Sequence, residues 1–265
     1  MKKMPSGKLN KILNNKTQGS SELTALLNKY FLSFQSSTSE IINSIKLAKS
    51  KLIHFHGVIS YLNELEYILK EKSIEEFVIY LREFSKREDE KVEIIFKKIY
   101  PKLSKMRSII TLSRSGTVLS LLKLWHRKKN KELKIVICES RPIYEGRLAA
   151  IDLVKEGIKV EVITDAMMGI YLSQVNAAII GADSVLKNGN VVNKVGSKAL
   201  ALFCRESQKP FYVIATRSKF SDRSSFKPKN ENPYEVWNKK EEKVMVSNFY
   251  FEEVDKKLIT KIFTE

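Results

Sequence analysis

Cysteines are scarce in this chain, and their spacing excludes the common structural metal sites. Cys138 and Cys204 are its two cysteines, and neither belongs to a CxxC or CxxH pattern, so no zinc site is expected. The histidines, His54, His56 and His126, form no metal-binding set. The sequence therefore predicts no metal or other cofactor. Two distant thiols in apolar segments indicate buried free cysteines in a reducing compartment.

Long apolar runs are also missing. No uncharged apolar run approaches the roughly 18 residues that a membrane-spanning helix requires. The first six residues, MKKMPS, are basic but are not followed by the apolar stretch of a secretory signal. We therefore expect a soluble, cytoplasmic protein with no membrane partner.

Proline is absent from residue 18 to residue 100, which permits long helices. Apolar residues recur there at helical spacing, and Ser20 or Ser21 is predicted to cap the first helix. Pro101 is expected to close the region. The predicted helices cover residues 20–32, 39–55, 57–71, 73–84 and 88–99.

After Ser108 short apolar runs alternate with helical patterns, which predicts an α/β protein with a parallel sheet covered on both faces. We place a domain boundary near residue 104, with a helical N-terminal domain (1–104) and a sheet domain (105–265). The lysine-rich segment 216–248 is interpreted as a lid, a partner surface or a solvated loop. The predicted strands cover residues 109–112, 134–138, 159–163, 177–180 and 211–215.

Positive charge is in excess, with 47 basic against 30 acidic side chains and a net charge of +17. Such a surface attracts phosphate groups, whether they belong to RNA or to a sugar. The lysines are dispersed, however, and no RNP, KH or helix-turn-helix signature is present. Specific binding of nucleic acid is therefore not expected, although a basic RNA-associated protein stays as an alternative.

The loop after the first predicted strand reads TLSRSGT over residues 111–117. Ligands of open parallel sheets bind past the carboxyl ends of the strands. Ser115, Gly116 and Thr117 are candidates for an anion site at a helix N-terminus, and the alternative is an ordinary capped helix start. Neither a Walker loop nor a GxGxxG fingerprint occurs.

Three later loops carry further candidates. Arg141 could bind a phosphate, or it could be a surface residue that pairs with Glu139 or Glu145. Asp165 is predicted to cap the next helix. Asp183 follows a buried strand, so it could titrate as an acid or base, or else act as a cap or as the partner of Lys194. Asn193 and Lys194 precede a glycine and a helix, where they suit a small anion.

Taken together, these loops resemble the superfamily of the regulatory subunits of translation initiation factor 2B, which also includes the isomerases of methylthioribose 1-phosphate and ribose 1,5-bisphosphate. The resemblance is strong after residue 108. It implies a helical N-terminal domain, a Rossmann-like C-terminal domain, and dimerisation through the latter. The matching motifs are Glu139-Ser-Arg-Pro142, Gly181-Ala-Asp183, Asn188-Gly189, Asn193-Lys-Val-Gly-Ser197, Pro210-Phe-Tyr-Val and Lys219-Phe220.

The resemblance also implies site residues, and this chain departs from three of them, one of which is an arginine of the isomerases that falls near His56 and is absent here. The catalytic aspartate of the isomerases falls on Asp183, but their catalytic cysteine falls on Ser113. Their early phosphate-binding Arg-Gly motif reads Gln18-Gly19 here, which keeps the glycine and loses the arginine. Lys219 matches a retained ligand-binding lysine. A thiol can exchange protons near neutral pH, whereas an alcohol needs a strong base beside it.

These departures favour a non-catalytic protein of this type, one that binds a phosphorylated small molecule and acts with a translation-factor partner. The alternative is a sugar-phosphate isomerase that uses Asp183 with Ser113.

Overall fold

The structure is a computed structural model that describes residues 6–15, 19–33, 37–53, 55–128, 133–239 and 241–265. His54 and Gln18 lie outside these ranges. Among the described helices, none combines the length and the apolarity that crossing a bilayer requires.

The first part of the chain is helical, as the proline-free sequence predicts. Apolar side chains of the first five helices pack into one cluster, which includes Leu23, Leu27, Ile45, Leu62 and Leu65. The N-cap of α2 is Gly19, not one of the predicted serines. The helices are α1 (Ser6–Leu13), α2 (Ser20–Leu32), α3 (Thr38–Lys51), α4 (His56–Glu71), α5 (Ile74–Arg82) and α6 (Phe84–Leu103).

Helix α6 continues past Pro101, where the sequence predicted that the helical region would end. Its first residue, Phe84, packs with the helical cluster. Its second half, from Val92 to Leu103, packs against the sheet that follows. A single helix therefore contributes to two apolar cores, and the boundary near residue 104 stays a prediction.

The central sheet has six parallel strands in the order β3-β2-β1-β4-β7-β9. The five predicted strands are confirmed, three of them with the expected bounds, and β9 is an addition. The strands are β1 (Ser108–Leu112), β2 (Lys134–Cys138), β3 (Lys159–Ile163), β4 (Ala177–Ile180), β7 (Phe211–Ile214) and β9 (Lys261–Phe263).

Four helices cover this sheet, which completes the predicted α/β fold. They are α7 (Gly116–Lys128), α8 (Glu145–Val154), α9 (Met168–Leu172) and α10 (Ser197–Glu206). The strand order changes direction between β1 and β4, which is where open α/β sheets form a crevice. The loops that begin at Ser113 and Gly181 therefore flank the expected binding position.

A small antiparallel sheet lies beside this crevice. The predicted turn at Asn188-Gly189 joins β5 (Ser184–Val185) to β6 (Val191–Lys194), and Gly189 has a positive φ of 87°, which suits glycine. Strand β8 (Phe251–Val254) pairs with the other side of β6. This arrangement holds Lys194 at the end of a strand that has a partner on each side.

Candidate functional site

A cavity of about 170 Å³ lies between the helical part and the carboxyl ends of the parallel strands. Both parts of the chain contribute walls, and the segment after β7 contributes a third wall. Four of the predicted site residues line it: Gly19, Ser113, Asp183 and Lys194. The other lining residues are Leu13, Asn15, Lys51, Leu52, Phe55, Arg114, Glu145, Phe226, Lys229, Glu231, Tyr250 and Phe251.

Ser113 follows β1 directly and has a positive φ of 66°, which is uncommon for a residue other than glycine. Its amide donates to Ser140 Oγ at 2.7 Å. Its hydroxyl donates to Glu145 Oε1 at 3.2 Å. The loop geometry therefore aims the hydroxyl at a carboxylate inside the cavity.

Glu145 and Lys194 form an ion pair beside this hydroxyl, with 2.7 Å between Lys194 Nζ and Glu145 Oε1. Both side chains are about 95% buried, with exposed fractions of 5% for the lysine and 4% for the glutamate. The ammonium also lies 4.7 Å from the centroid of the Tyr250 ring. Glu145 Oε2 is buried and receives no hydrogen bond from the described residues, so a ligand donor could satisfy it.

Asp183 lies shortly after β4, as the sequence predicts, and it is half-buried where the sequence predicts a buried position. Its amide donates to the Val192 carbonyl at 2.9 Å, which fixes the start of the hairpin. Burial raises the pKa of its carboxyl, and the charges of Lys219 and Lys194 oppose this shift only in part. A carboxyl group with a raised pKa can keep or exchange a proton closer to neutral pH.

The predicted anion loop lies against helix α2. A Cβ atom on Gly116 would approach Ser21 Cβ to 3.1 Å, and Thr117 Oγ1 lies 3.5 Å from Ser21 Oγ. Ser115 packs closely on Gly181, where an added Cβ would stand 2.3 Å from Ser115 Oγ. This part of the loop thus lies against α2 and borders a separate groove, and Ser113 and Arg114 line the cavity instead.

Lys219 is buried at a second, smaller cavity beside the first. A Cβ atom added to Gly57 would stand 2.9 Å from Lys219 Cδ and 2.9 Å from Ser20 Oγ, so these two side chains pack against the same face of Gly57. Burial lowers the pKa of the Lys219 ammonium, while the charges of Asp183 and Glu22 oppose this shift. Ser20 Oγ is buried without a partner among the described residues. The start of α2 and Lys219 therefore leave donors for a small anion.

Two other predicted ligand-binding residues are already engaged by protein groups. The guanidinium of Arg141 donates to the Tyr144 hydroxyl and, at 2.7 Å, to the Val236 carbonyl. Asn193 is buried, and its amide donates to Ser197 Oγ at 2.9 Å. The structure therefore brings Asp183 and Lys194 together but turns Arg141 toward the segment after β7.

Asp165 does not cap the helix that follows it. Its two carboxylate oxygens accept hydrogen bonds from the backbone amides of Ser140 and Arg141, at 2.9 and 2.7 Å. Ser140 in turn accepts the bond from the amide of Ser113. The carboxylate after β3 thus positions the loops after β2 and β1.

Sequence reasoning missed three residues that shape the site: Glu145, Tyr250 and Phe251. Glu145 was considered only as a partner of Arg141, although its place at the start of a helix after a strand was a usable signal. Tyr250 and Phe251 lie beyond the lysine-rich segment, and no motif marks them. Their position depends on the pairing of β8 with β6.

The model of the initiation factor 2 subunit family matches residues 8–265. An eIF-2B subunit 2-like translation initiation factor of Pyrococcus furiosus is 44% identical over 119 residues, which is 45% of this chain and 43% of that protein. The ribose 1,5-bisphosphate isomerase of Archaeoglobus fulgidus is 33% identical over 119 residues, or 45% of this chain and 38% of the isomerase.

Solved structures extend the likeness over nearly the whole chain. The translation initiation factor eIF-2B of Pyrococcus horikoshii OT3 superposes with a TM-score of 0.79 and 26% identity, covering 98% of this chain and 94% of that one. The sequence matches with the curated relatives, by contrast, span less than half the length of those proteins.

The fold and the cavity at the strand ends define an α/β protein with a cavity between a helical part and a parallel sheet. The chain belongs to the initiation factor 2 subunit family. The resemblance inferred from the loop motifs is confirmed, and so is the fold class that it implied.

Proposed function

We propose that the chain binds a small phosphorylated ligand, a sugar phosphate or a nucleotide, in the cavity and does not isomerise it. The Lys194 ammonium and the start of α2 supply positive groups for the phosphate. The free Oε2 of Glu145 supplies an acceptor for a sugar hydroxyl. This function is consistent with a family that contains both initiation factors and sugar-phosphate isomerases.

The observation that carries the proposal is the bonding of Ser113. The resemblance of the loop motifs puts Ser113 where the isomerases have a cysteine. Its hydroxyl donates to Glu145 Oε1, which is paired with Lys194 as well. An alcohol needs a strong base beside it before it can exchange a proton, and the group beside this hydroxyl is a carboxylate that also binds the Lys194 ammonium. The chain therefore has the groups to hold a ligand but lacks the thiol that would exchange its proton.

Calorimetric titration with ribose 1,5-bisphosphate and with adenosine monophosphate tests the binding. We expect saturable binding of at least one of them and a loss of at least tenfold in affinity in Lys194→Met. Because this change leaves Glu145 unpaired, the double variant with Glu145→Gln serves as a second probe. Lys134→Met, at the opposite end of the sheet, is the control. Unchanged affinity in both cavity variants would refute the site.

Isomerase activity is the alternative, and the raised pKa of Asp183 favours it, because such a carboxyl can donate a proton near neutral pH. NMR of the protein mixed with ribose 1,5-bisphosphate or methylthioribose 1-phosphate separates the two functions. We expect no ketose to form. Ketose formation that disappears in Asp183→Asn would replace the binding proposal with catalysis.

The proposal includes a homodimer formed through the sheet domain (105–265), a translation-factor partner and a cytoplasmic location. Both cysteines are buried and unpaired, which is consistent with a reducing compartment. Light scattering at several concentrations tests the dimer. A protein that stays monomeric well above micromolar concentration would contradict it.

A further inference from the structure

Arg141 links the loop after β2 to the segment after β7, and part of that segment lines the cavity. Its backbone amide is held by Asp165 Oδ2 at 2.7 Å. Its guanidinium donates to the Tyr144 hydroxyl and, at 2.7 Å, to the carbonyl of Val236, which lies 95 residues away along the chain. The side chain is therefore fixed at its base and at its tip, and the tip holds the segment after β7.

Residues 226–236, here called the lid, cover one side of the cavity. Phe226, Lys229 and Glu231 line it, and a short turn, Pro233–Glu235, follows. Within the turn, Val236 N donates to the Pro233 carbonyl at 3.0 Å. Other hydrogen bonds tie the lid to residues 248–250: Glu231 N donates to the Asn248 carbonyl at 2.9 Å, Asn248 Nδ2 donates to the Asn232 carbonyl at 2.7 Å, and the Tyr250 hydroxyl donates to Glu235.

The bond from Arg141 to Val236 thus joins this turn to the loop after β2. A hydrogen bond from a guanidinium to a carbonyl is stronger than one between neutral groups. Breaking it would remove this link with little loss of apolar packing, because Tyr234 and Trp237 are 54% and 38% exposed.

We propose that Arg141 is a latch that keeps the lid over the cavity, and that it controls how fast a ligand enters and leaves. It acts on the ligand through the lid and does not contact the ligand itself. The statement about ligand exchange rests on the proposed function, whereas the latch can be tested without any ligand.

The first test measures lid opening in the ligand-free protein. Hydrogen exchange of peptides that cover residues 226–237 is compared between the wild type, Arg141→Ala and Arg141→Lys. We expect exchange to accelerate about tenfold in Arg141→Ala, as the loss of one charged hydrogen bond implies. In Arg141→Lys a single ammonium cannot reach both acceptors with the geometry of a guanidinium, so we expect an intermediate effect.

The matched control is Arg147→Ala. Arg147 stacks on the same Tyr144 ring at 3.9 Å and pairs with Glu139, but it lies on α8 and makes no contact with the lid carbonyl. We expect exchange in the lid to be unchanged in this variant. Equal acceleration in both arginine variants would mean that the Tyr144 loop, and not the latch, holds the lid, and the proposal would fail.

A second measurement uses the natural tryptophans. Trp237 follows the lid and is 38% exposed, while Trp125 is fully buried in the core. Acrylamide therefore quenches Trp237 selectively. We expect stronger quenching in Arg141→Ala with an unchanged melting temperature; if that variant melts early, Arg141→Lys gives the same comparison in a folded protein. Quenching and exchange equal to the wild type in both variants would overturn the latch.

Stopped-flow mixing with ribose 1,5-bisphosphate separates the latch from the proposed function. We expect Arg141→Ala to raise the association and dissociation rates together, by about the factor seen in exchange, with the dissociation constant changed less than threefold. A large loss of affinity without faster lid exchange would make Arg141 a ligand contact and refute the latch. Absence of binding in the wild type, with faster lid exchange in the variant, would refute the proposed function alone.

Discussion

Lys194 Nζ and Glu145 Oε1 lie 2.7 Å apart in a place where both side chains are almost completely buried. The lysine ends a strand of the small sheet, and the glutamate begins a helix that follows the second strand of the large sheet. The pair therefore joins two elements at the floor of the cavity. It also balances a charge that the isolated lysine would leave buried.

Removing one member of this pair should destabilise the protein strongly. We expect Glu145→Gln to lower the free energy of unfolding by about 3–5 kcal/mol, because it leaves a buried ammonium uncompensated. Urea unfolding followed by circular dichroism measures the change. Glu76→Gln breaks the exposed Lys72–Glu76 pair and should cost less than about 1 kcal/mol. Similar losses in the two variants would mean that the cavity pair is solvated.

The native thiols should be unreactive at mildly alkaline pH. Burial raises the pKa of both Cys138 and Cys204 to about 12, so the reactive thiolate is scarce at pH 8. Ellman's reagent should titrate no thiol in the native protein and two in urea. Ser113→Cys places a third thiol in the cavity, and we expect one reactive equivalent in the folded variant. A reactive thiol in the wild type would contradict the buried positions of the cysteines.

Stability should fall with rising pH where Asp183 loses its proton. Burial raises the pKa of this carboxyl, so the folded state binds a proton that the unfolded state releases above a pKa of about 3.9. The free energy of unfolding therefore decreases as the pH rises from that value to the higher folded pKa. Asp183→Asn should lack this decrease. The free energy of unfolding of the variant minus that of the wild type should therefore rise with pH in unfolding series from pH 4 to 8.

Asp255 provides a control of opposite sign. Hydrogen bonds from Lys257, first from its amide and then from its side chain, lower the pKa of the Asp255 carboxyl. The folded state therefore favours the charged form of Asp255. The stability that this carboxylate contributes is present above the pKa of the unfolded state and is lost as the pH falls through the lower pKa of the folded state. Asp255→Asn should lose stability relative to the wild type at neutral pH. Parallel pH trends in the Asp183 and Asp255 variants would refute the assigned shifts.

Close packing at Gly146 should make this glycine intolerant of a side chain. A Cβ atom there would stand 1.9 Å from the Cys138 carbonyl oxygen, so helix α8 would have to move away from β2. We expect Gly146→Ala to lower the free energy of unfolding by about 1–3 kcal/mol. Gly7→Ala, where nothing lies within 4 Å, should be neutral or gain up to about 1 kcal/mol. Thermal or urea unfolding of both variants decides the matter.

Much of this fold was predictable because its elements have strong local signals. The strands at 134–138 and 159–163 are short apolar runs between turn residues, and the absence of proline marked the helical part. The extension of α6 past Pro101 was not predictable, since a proline in the last turn of a helix is tolerated when packing against the sheet continues. Strand β9 is only three residues long and carries no periodic signal.

The site was predictable only as far as topology alone brings groups together. Asp183 lies at the site because a parallel sheet collects the ends of its strands on one edge, and the hairpin of β5 and β6 that follows brings Lys194 to it. The orientation of Arg141 depends on the Val236 carbonyl far along the chain, and no local pattern encodes that contact. Tyr250 was missed for the same reason, since its place depends on long-range strand pairing.

The twenty-residue helix α6 has a mechanical consequence for the whole molecule. Its first turn is anchored in one apolar core and its last three turns in the other, with no joint between them. If either core melts, α6 loses part of its packing, and the other core is weakened with it. The two parts of the chain should therefore unfold in a single cooperative step. Calorimetry should accordingly record one heat-absorption peak, although the chain has separate apolar cores in its helical part and around its sheet.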